Sequence, residues 1–145
     1  MSLIVVDQGE HDFLDAITGV GYTLHLFQND VIDSLTEGQI EALDESDFTE
    51  SDFAGYSAAT LTGGSWTTTA ADPSTATYAV QTFTRSSTGT PQDVYGYYVT
   101  RTSDGRLQWF EYLDAEFDPV VIENAGEAIQ VTPRITLRDD SNDAP

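Results

Sequence analysis

The 145-residue chain contains no cysteine and no lysine. The first absence excludes disulfide staples and thiolate metal sites, and it leaves the redox compartment open. The second leaves Arg85, Arg101, Arg106, Arg134 and Arg138 as the only full-time cations against 25 carboxylates, a formal net charge of −20. A surface of that sign repels phosphate backbones and anionic lipid, so nucleic acid and membrane are not expected partners. Long apolar runs are missing as well. Leu3-Ile-Val-Val6 is too short for a signal-peptide core and lacks a basic start, and nothing approaches a membrane span. The chain as written therefore reads as a mature protein.

Catalytic signatures are equally sparse. Without lysine there is no phosphate-cradling loop closed by one. Gly64-Ser65-Trp66 lacks the closing glycine of a nucleophile elbow. His11 and His25, the two histidines, do not form a His-Glu-x-x-His pattern. Among 25 carboxylates some pair always falls at a distance suited to glycoside hydrolysis, so abundance alone carries no signal. The expectation is a protein with no catalytic residue, no cofactor and no metal.

What is present reads as mainly β. The organising stretch runs from Val94 to Leu113, where two runs rich in aromatic and β-branched residues flank Asp104-Gly105. That dipeptide favours a two-residue hairpin turn. Such a turn places Val99 opposite Phe110, Tyr97 opposite Tyr112 and Thr100 opposite Trp109. Both faces would then carry large apolar groups, as in an interior hairpin. Around it, short strands are expected at Leu3–Val6, Tyr22–Phe27, Tyr56–Leu61, Trp66–Thr69, Tyr78–Phe83, Val120–Ile122 and Ala128–Leu137. Turns are expected at Thr62-Gly-Gly-Ser65, Asp72-Pro73 and Asn124-Ala-Gly126. Pro133 interrupts the ladder of the last strand. The spacing of these strands points to a single antiparallel β-sandwich or barrel over residues 1–138, followed by an acidic tail, 139–145.

One short helix is expected over 9–19, with Asp7 and Glu10 as a capping pair. Phe13, Leu14 and Ile17 would face a sheet, and Gly19 would be a left-handed stop. His25, in a strand, is expected to be packed or hydrogen-bonded and not a ligand. From Gln28 to Gly55 runs a long acidic connecting arm carrying nine carboxylates, from Asp30 to Asp52, and no basic residue. Thr36-Glu-Gly-Gln39 has the capping-box pattern for a short helix ahead of Ile40 and Leu43. The arm's spacing does not match a calcium loop. Phe48 and Phe53 interrupt the acid and are expected to anchor the segment. The aromatic residues that alternate in strands are expected in the core; an exposed set would instead suit stacking against sugars.

Several stretches together carry a family likeness. They are Gly9-Glu-x-x-Phe-Leu-Asp15, Tyr22-Thr-Leu-His-Leu-Phe-Gln-Asn-Asp-Val31, Asp52-Phe-Ala-Gly-Tyr56, Thr60-Leu-Thr-Gly-Gly-Ser-Trp66, Val94-Tyr-Gly-Tyr-Tyr-Val-Thr100 and Val131-Thr-Pro-Arg-Ile-Thr-Leu137. In this order they resemble a family of small tailed-bacteriophage virion proteins. The resemblance implies a capsid cement or decoration protein, made in the host cytoplasm and carried on the capsid exterior. Its partners would be the major capsid protein and further copies of itself, as a trimer. The alternative is a receptor- or glycan-binding module of a tail or head fibre. In an assembly the five arginines are the natural partners for carboxylates of adjoining chains. With Phe48 and Phe53 they form the set of candidate interaction residues.

Overall fold

The computed structural model describes residues 6–71 and 73–137. The expected strand at Leu3–Val6, the Asp72 turn, Arg138 and the tail 139–145 lie wholly or partly outside those residues. The fold is mainly β, with its strands in antiparallel sheets. Helix α1 (Asp7–Thr18) is followed by β1 (Tyr22–Phe27), helix α2 (Glu37–Glu41), a 3-10 turn (Glu45–Asp47), β2 (Ala59–Leu61), β3 (Thr67–Thr69) and β4 (Ser74–Thr77). Then come β5 (Gln81–Thr84), β6 (Gln92–Val94), β7 (Gly96–Arg101), β8 (Leu107–Tyr112), β9 (Val120–Ile122), β10 (Ala128–Val131) and β11 (Arg134–Leu137). The strands form sheets in the orders β2-β1-β7-β8, β11-β4-β3, β10-β5 and β6-β9. No helix among the described residues is long and apolar enough to cross a membrane. The chain divides into two compact units. One comprises Met1–Gly21, Leu61–Gln81 and Val131–Pro145; the other comprises Tyr22–Thr60 and Thr82–Gln130.

In the first unit, α1 packs against β4. Its buried line is Glu10, Leu14 and Thr18, residues four apart and so stacked on one helical face. The opposing β4 buries only the small side chains of Ser74 and Ala76, which lets the helix sit close on a narrow stripe. That corrects the expected face: Leu14 is fully buried, but Phe13 is 55% and Ile17 38% exposed. The cap differs too. Val6 is the N-cap and supplies no side-chain bond, and Gly19 stays right-handed at φ −71°. The helix end is closed instead by the 62–65 turn, whose Gly64 N–H donates to the Thr18 carbonyl at 2.9 Å.

Two expected strands are shorter than the sequence pattern indicates. β5 begins only at Gln81, and Tyr78 lies just past β4 and opens no strand. Its N–H donates to the Pro133 carbonyl, and its hydroxyl accepts from the Thr62 N–H at 3.0 Å. The expected run Ala128–Leu137 is split at Thr132-Pro133 into β10 and β11, because proline has no N–H for the ladder.

The second unit is built on β7. Residues 96–100 are all buried, as suits a strand paired on both sides. Antiparallel to β1 it aligns Leu24 with Val99, His25 with Tyr98 and Phe27 with Gly96. On its other side lies β8, the edge of the sheet, so only one strand of the expected hairpin is interior. The hairpin register also differs from expectation. Tyr98 lies opposite Phe110, Val99 opposite Trp109 and Tyr97 opposite Glu111, while Thr100 pairs with Leu107 across a bulge.

Two features cause the slip. The Arg101 N–H donates to the Arg106 carbonyl at 2.9 Å, closing a four-residue loop in place of a two-residue turn. Gly105 takes its left-handed corner at φ +74°, a conformation that costs glycine nothing. The Asp104 carboxylate holds this loop by accepting from the Arg101 guanidinium and from the Arg106 N–H. Gln108 is then the extra residue of β8, and each one-residue shift exchanges the two faces.

The rings above the sheet require a gap at Gly96. A Cβ there would lie 2.1 Å from the Glu111 carbonyl oxygen and 2.8 Å from carbons of the Phe27 ring. Backbone and packed ring have little room to retreat, and overpacking of this kind typically costs about 1–3 kcal/mol or more. Gly96→Ala is therefore expected to lower stability by at least about 2 kcal/mol. The measurement is a shift of the urea midpoint at unchanged slope; a midpoint within error of the parent would contradict this account.

Candidate functional site

The acidic arm folds back over its own sheet, and it does so through anchors that the sequence spaces along it. The Gln39 carboxamide oxygen accepts from the Thr36 N–H at 2.9 Å while the Thr36 hydroxyl accepts from the Gln39 N–H, the expected capping box of α2. A second box follows at once: Asp44 accepts from the Ser46 N–H at 2.8 Å, and Asp47 accepts from the Asp44 N–H at 2.8 Å. The Ser46 hydroxyl and N–H beside it hold the Asp44 carboxyl below the usual carboxylate range. Asn29 ties the two ends of the arm, donating to the Asp47 carbonyl at 2.9 Å and accepting from the Thr49 N–H at 2.7 Å.

Phe48 is the main apolar anchor. It is buried in one cluster with Phe27, Val31 and Tyr98. Its ring stacks on Tyr98 at 4.6 Å and meets Phe27 edge-on at 5.1 Å and Phe110 at 5.3 Å. Beside it the Tyr112 hydroxyl accepts from the Val31 N–H at 3.1 Å and donates to Asp30 at 2.7 Å. Burial first, and then the bond to Asp30, push the Tyr112 phenol up from its ordinary value.

The arm rejoins the sheet at Glu50. Thr49 and Ser51 pair with the end of β1 through Gln28 N–H to Thr49 O and Ser51 N–H to Leu26 O, both 2.9 Å. The Glu50 carboxylate accepts from the Tyr56 hydroxyl at 2.9 Å and lies 2.9 Å from His25 Nδ1. Since a carboxylate only accepts, Nδ1 carries the proton. Nε2 of the same ring is 3.1 Å from the Thr100 hydroxyl, and the ring stacks on Tyr98 at 4.6 Å. Tyr56 in turn accepts from the Leu26 N–H at 3.0 Å, satisfying an edge donor of β1; its phenol is pushed up, chiefly by burial.

Hydroxyl, imidazole and carboxylate in this order match the connectivity of a nucleophilic triad. Thr100, however, sits 6% exposed in the middle strand, where its hydroxyl is not presented to a substrate. The chain of bonds is a structural link between β1, β7 and the arm, and His25 is packed and hydrogen-bonded as its strand position suggested.

The candidate interaction residues are dispersed. Arg85 is 5% exposed and donates to the Ser87 carbonyl at 2.8 Å and the Ile122 carbonyl at 2.9 Å. It is an internal clamp and not a surface cation, which corrects its assignment to a neighbouring chain. Phe48 and Phe53 are corrected in the same sense. Both are buried, Phe53 edge-on to Tyr56 at 5.3 Å, so they anchor the arm to its own body as one reading of the sequence expected. Arg101 is engaged with Asp104 three residues on. Arg106 and Arg134 are exposed, with no ion pair to a described residue; Arg138 lies outside the described residues. Among the described residues no three His, Asp or Glu side chains converge as a metal site.

Sequence reasoning missed one feature altogether. The folded arm borders a shallow, open depression of about 410 Å3 lined by Val31, Leu35, Ala42 and Leu43, with Gln39, Asn29, Asp30 and Asp47 around it. The acid run was visible in the sequence, but the concavity arises only when both capping boxes turn the chain.

Removing the Phe48 ring empties the middle of the aromatic cluster. Phe48→Ala should cost about 3–5 kcal/mol and, in hydrogen exchange, should expose amides of residues 28–51 more than those of β7. Uniform loss of protection would contradict the anchoring role. Glu127 supplies a pH test. Its carboxylate accepts from the Glu123 N–H at 2.6 Å, the Asn124 N–H at 3.0 Å and the Asn124 side chain at 2.8 Å. The Glu123 N–H first, and then the Asn124 donors, hold its pKa down to about 2 from the ordinary 4.5. The stabilisation is complete above the ordinary value and is lost as pH falls through about 2. Carboxyl-carbon NMR should therefore find Glu127 still ionised at pH 3; titration near 4.5 would refute the arrangement. Comparison with known proteins finds no matching family model, no similar curated protein and no similar solved structure.

Proposed function

We propose that this protein is a non-enzymatic structural component of a tailed-phage virion, a cement or decoration protein that self-associates, as a trimer, over the capsid exterior. The observation that carries the reading is the ordered set of family-like stretches. Those stretches supply the framework strands: Tyr22–Val31 contains β1, Thr60–Trp66 contains the turn that closes α1, Val94–Thr100 contains most of β7, and Val131–Leu137 contains β11. The chemistry is compatible. The hydroxyl of the triad-like chain around His25 is buried at Thr100, and the strongest surface property is charge. A shell of acidic subunits suits attachment to basic capsid patches, and Arg106 and Arg134 are exposed where carboxylates of adjoining copies could reach them.

The test is immunogold electron microscopy on gradient-purified particles from the source culture, using antibody raised against the recombinant full chain. Regular label over the head is expected. Label confined to the tail would replace this reading with the receptor- or glycan-binding alternative, and label absent from particles whose capsid protein is readily detected would overturn the virion assignment.

A further inference from the structure

Asp104-Gly105 is the single Asp-Gly step in the chain, and its preference for turns comes with a chemical hazard. Glycine has no side chain to shield its amide nitrogen, which can attack Cγ of the aspartate before it. A C–N bond forms, the carboxyl loses one oxygen as water together with the amide proton, and a succinimide ring results. Water then opens the ring at either carbonyl. One product is the original aspartate. The other is isoaspartate, in which the main chain runs through the former side-chain carbonyl and is longer by one methylene. The water lost in the first step is regained in the second, so no further reactant is consumed. At this corner the reagents are present: Asp104 and Gly105 are both exposed to water. A Cβ at Gly105 would meet nothing within 4 Å, so packing does not restrain the step. Hydrogen bonds centred on Arg101 do.

We propose that Asp104 is a site of aspartate isomerisation that the fold keeps closed, with Arg101 as the residue that guards it. The guanidinium forks onto both carboxylate oxygens, Nε to Oδ1 at 3.0 Å and Nη2 to Oδ2, the bidentate geometry to which arginine is suited. The Arg106 N–H donates to Oδ1 as well, at 3.2 Å. These donors hold the group as an anion, which is a poor electrophile and has no hydroxyl to lose as water. The bond from Arg101 is the first cause that keeps the Asp104 carboxyl down to about 2 from the ordinary 3.8. At a pH above both values, each unit of that lowering cuts the protonated, reactive fraction about tenfold. The nucleophile is held too: the Gly105 N–H donates to the Arg101 carbonyl at 2.8 Å, so the proton that must leave is engaged in the turn. The same carboxylate closes the loop that sets the β7–β8 register, and isoaspartate would displace it by the extra methylene. The inference is independent of the virion reading.

The test is the rate at which isoaspartate accumulates at Asp104 in the recombinant full chain held at pH 5, with the same chain unfolded in urea as reference. Trypsin releases Asp104 within residues 102–106, or within 86–106 where glutamine replaces Arg101. The isoaspartyl peptide is resolved by chromatography and assigned by electron-transfer fragmentation. The folded parent should react at least about tenfold more slowly than the unfolded chain. Arg101→Gln keeps the main-chain bonds of residue 101 and loses the fork. While folded, as judged from the β7 and β8 amide resonances, it should react about tenfold faster than the parent. Arg134→Gln makes the same charge change in the other unit and should leave the rate unaltered. If Arg101→Gln does not fold, Arg101→Lys, which keeps the charge without the planar fork, should react at a rate between those of the folded parent and the unfolded chain. A folded parent as reactive as the chain in urea, a folded Arg101 variant no faster than the parent, or equal acceleration in Arg134→Gln would each overturn the proposal.

Discussion

The pairing of β1 with β7 determines where everything else in the second unit goes. That register sets the Phe27 ring over Gly96 and stacks His25 on Tyr98. The Tyr98 ring then has a free side on which Phe48 can stack. One strand pair thus creates a flat aromatic surface, and the arm is the lid that keeps it dry. Burial of several rings in one contact set is worth more than their area alone, because edge-on and offset pairs add about 0.5–1.5 kcal/mol each. Shifting β1 by one residue would turn Phe27 away from Phe48.

The acid in the arm has a local role that net charge conceals. Asp44 and Asp47 cap a turn, Asp30 accepts from Tyr112, Glu50 joins His25 to Tyr56, and Asp52 accepts from the Gln92 carboxamide. A carboxylate accepts several hydrogen bonds without needing a counter-ion, so it suits a segment that crosses exposed backbone donors. Most of these groups are solvent-facing, where mutual repulsion is screened within about 8–10 Å at physiological salt. The arm is therefore acidic by construction as well as for solubility.

Local rules made much of this legible. Alternation marks Tyr22–Phe27 as a strand, the capping box marks α2, proline marks the break before β11, and phenylalanines between acids mark the anchors. The failures share a cause. The helix face was chosen by which residues are apolar, yet the small residues of β4 admitted only the narrow line of Glu10, Leu14 and Thr18. The hairpin register was inferred from a dipeptide, yet the Arg101–Asp104 contact and the bulge at Gln108 reset it. As one of five arginines against 25 carboxylates, Arg85 reads from sequence as an intersubunit cation; its partners are carbonyls that only the fold assembles. The helix face depends on β4 and the clamp at Arg85 on Ile122, both distant in sequence, whereas the hairpin is reset by contacts inside its own loop.

Connectivity alone does not make a site in a molecule of this composition. The His25 constellation has catalytic connectivity, but its hydroxyl is buried at Thr100. A buried polar network that is fully satisfied rigidifies a fold. In the arm that network lies at Glu50, where bonds to His25 and Tyr56 hold the segment to the sheet.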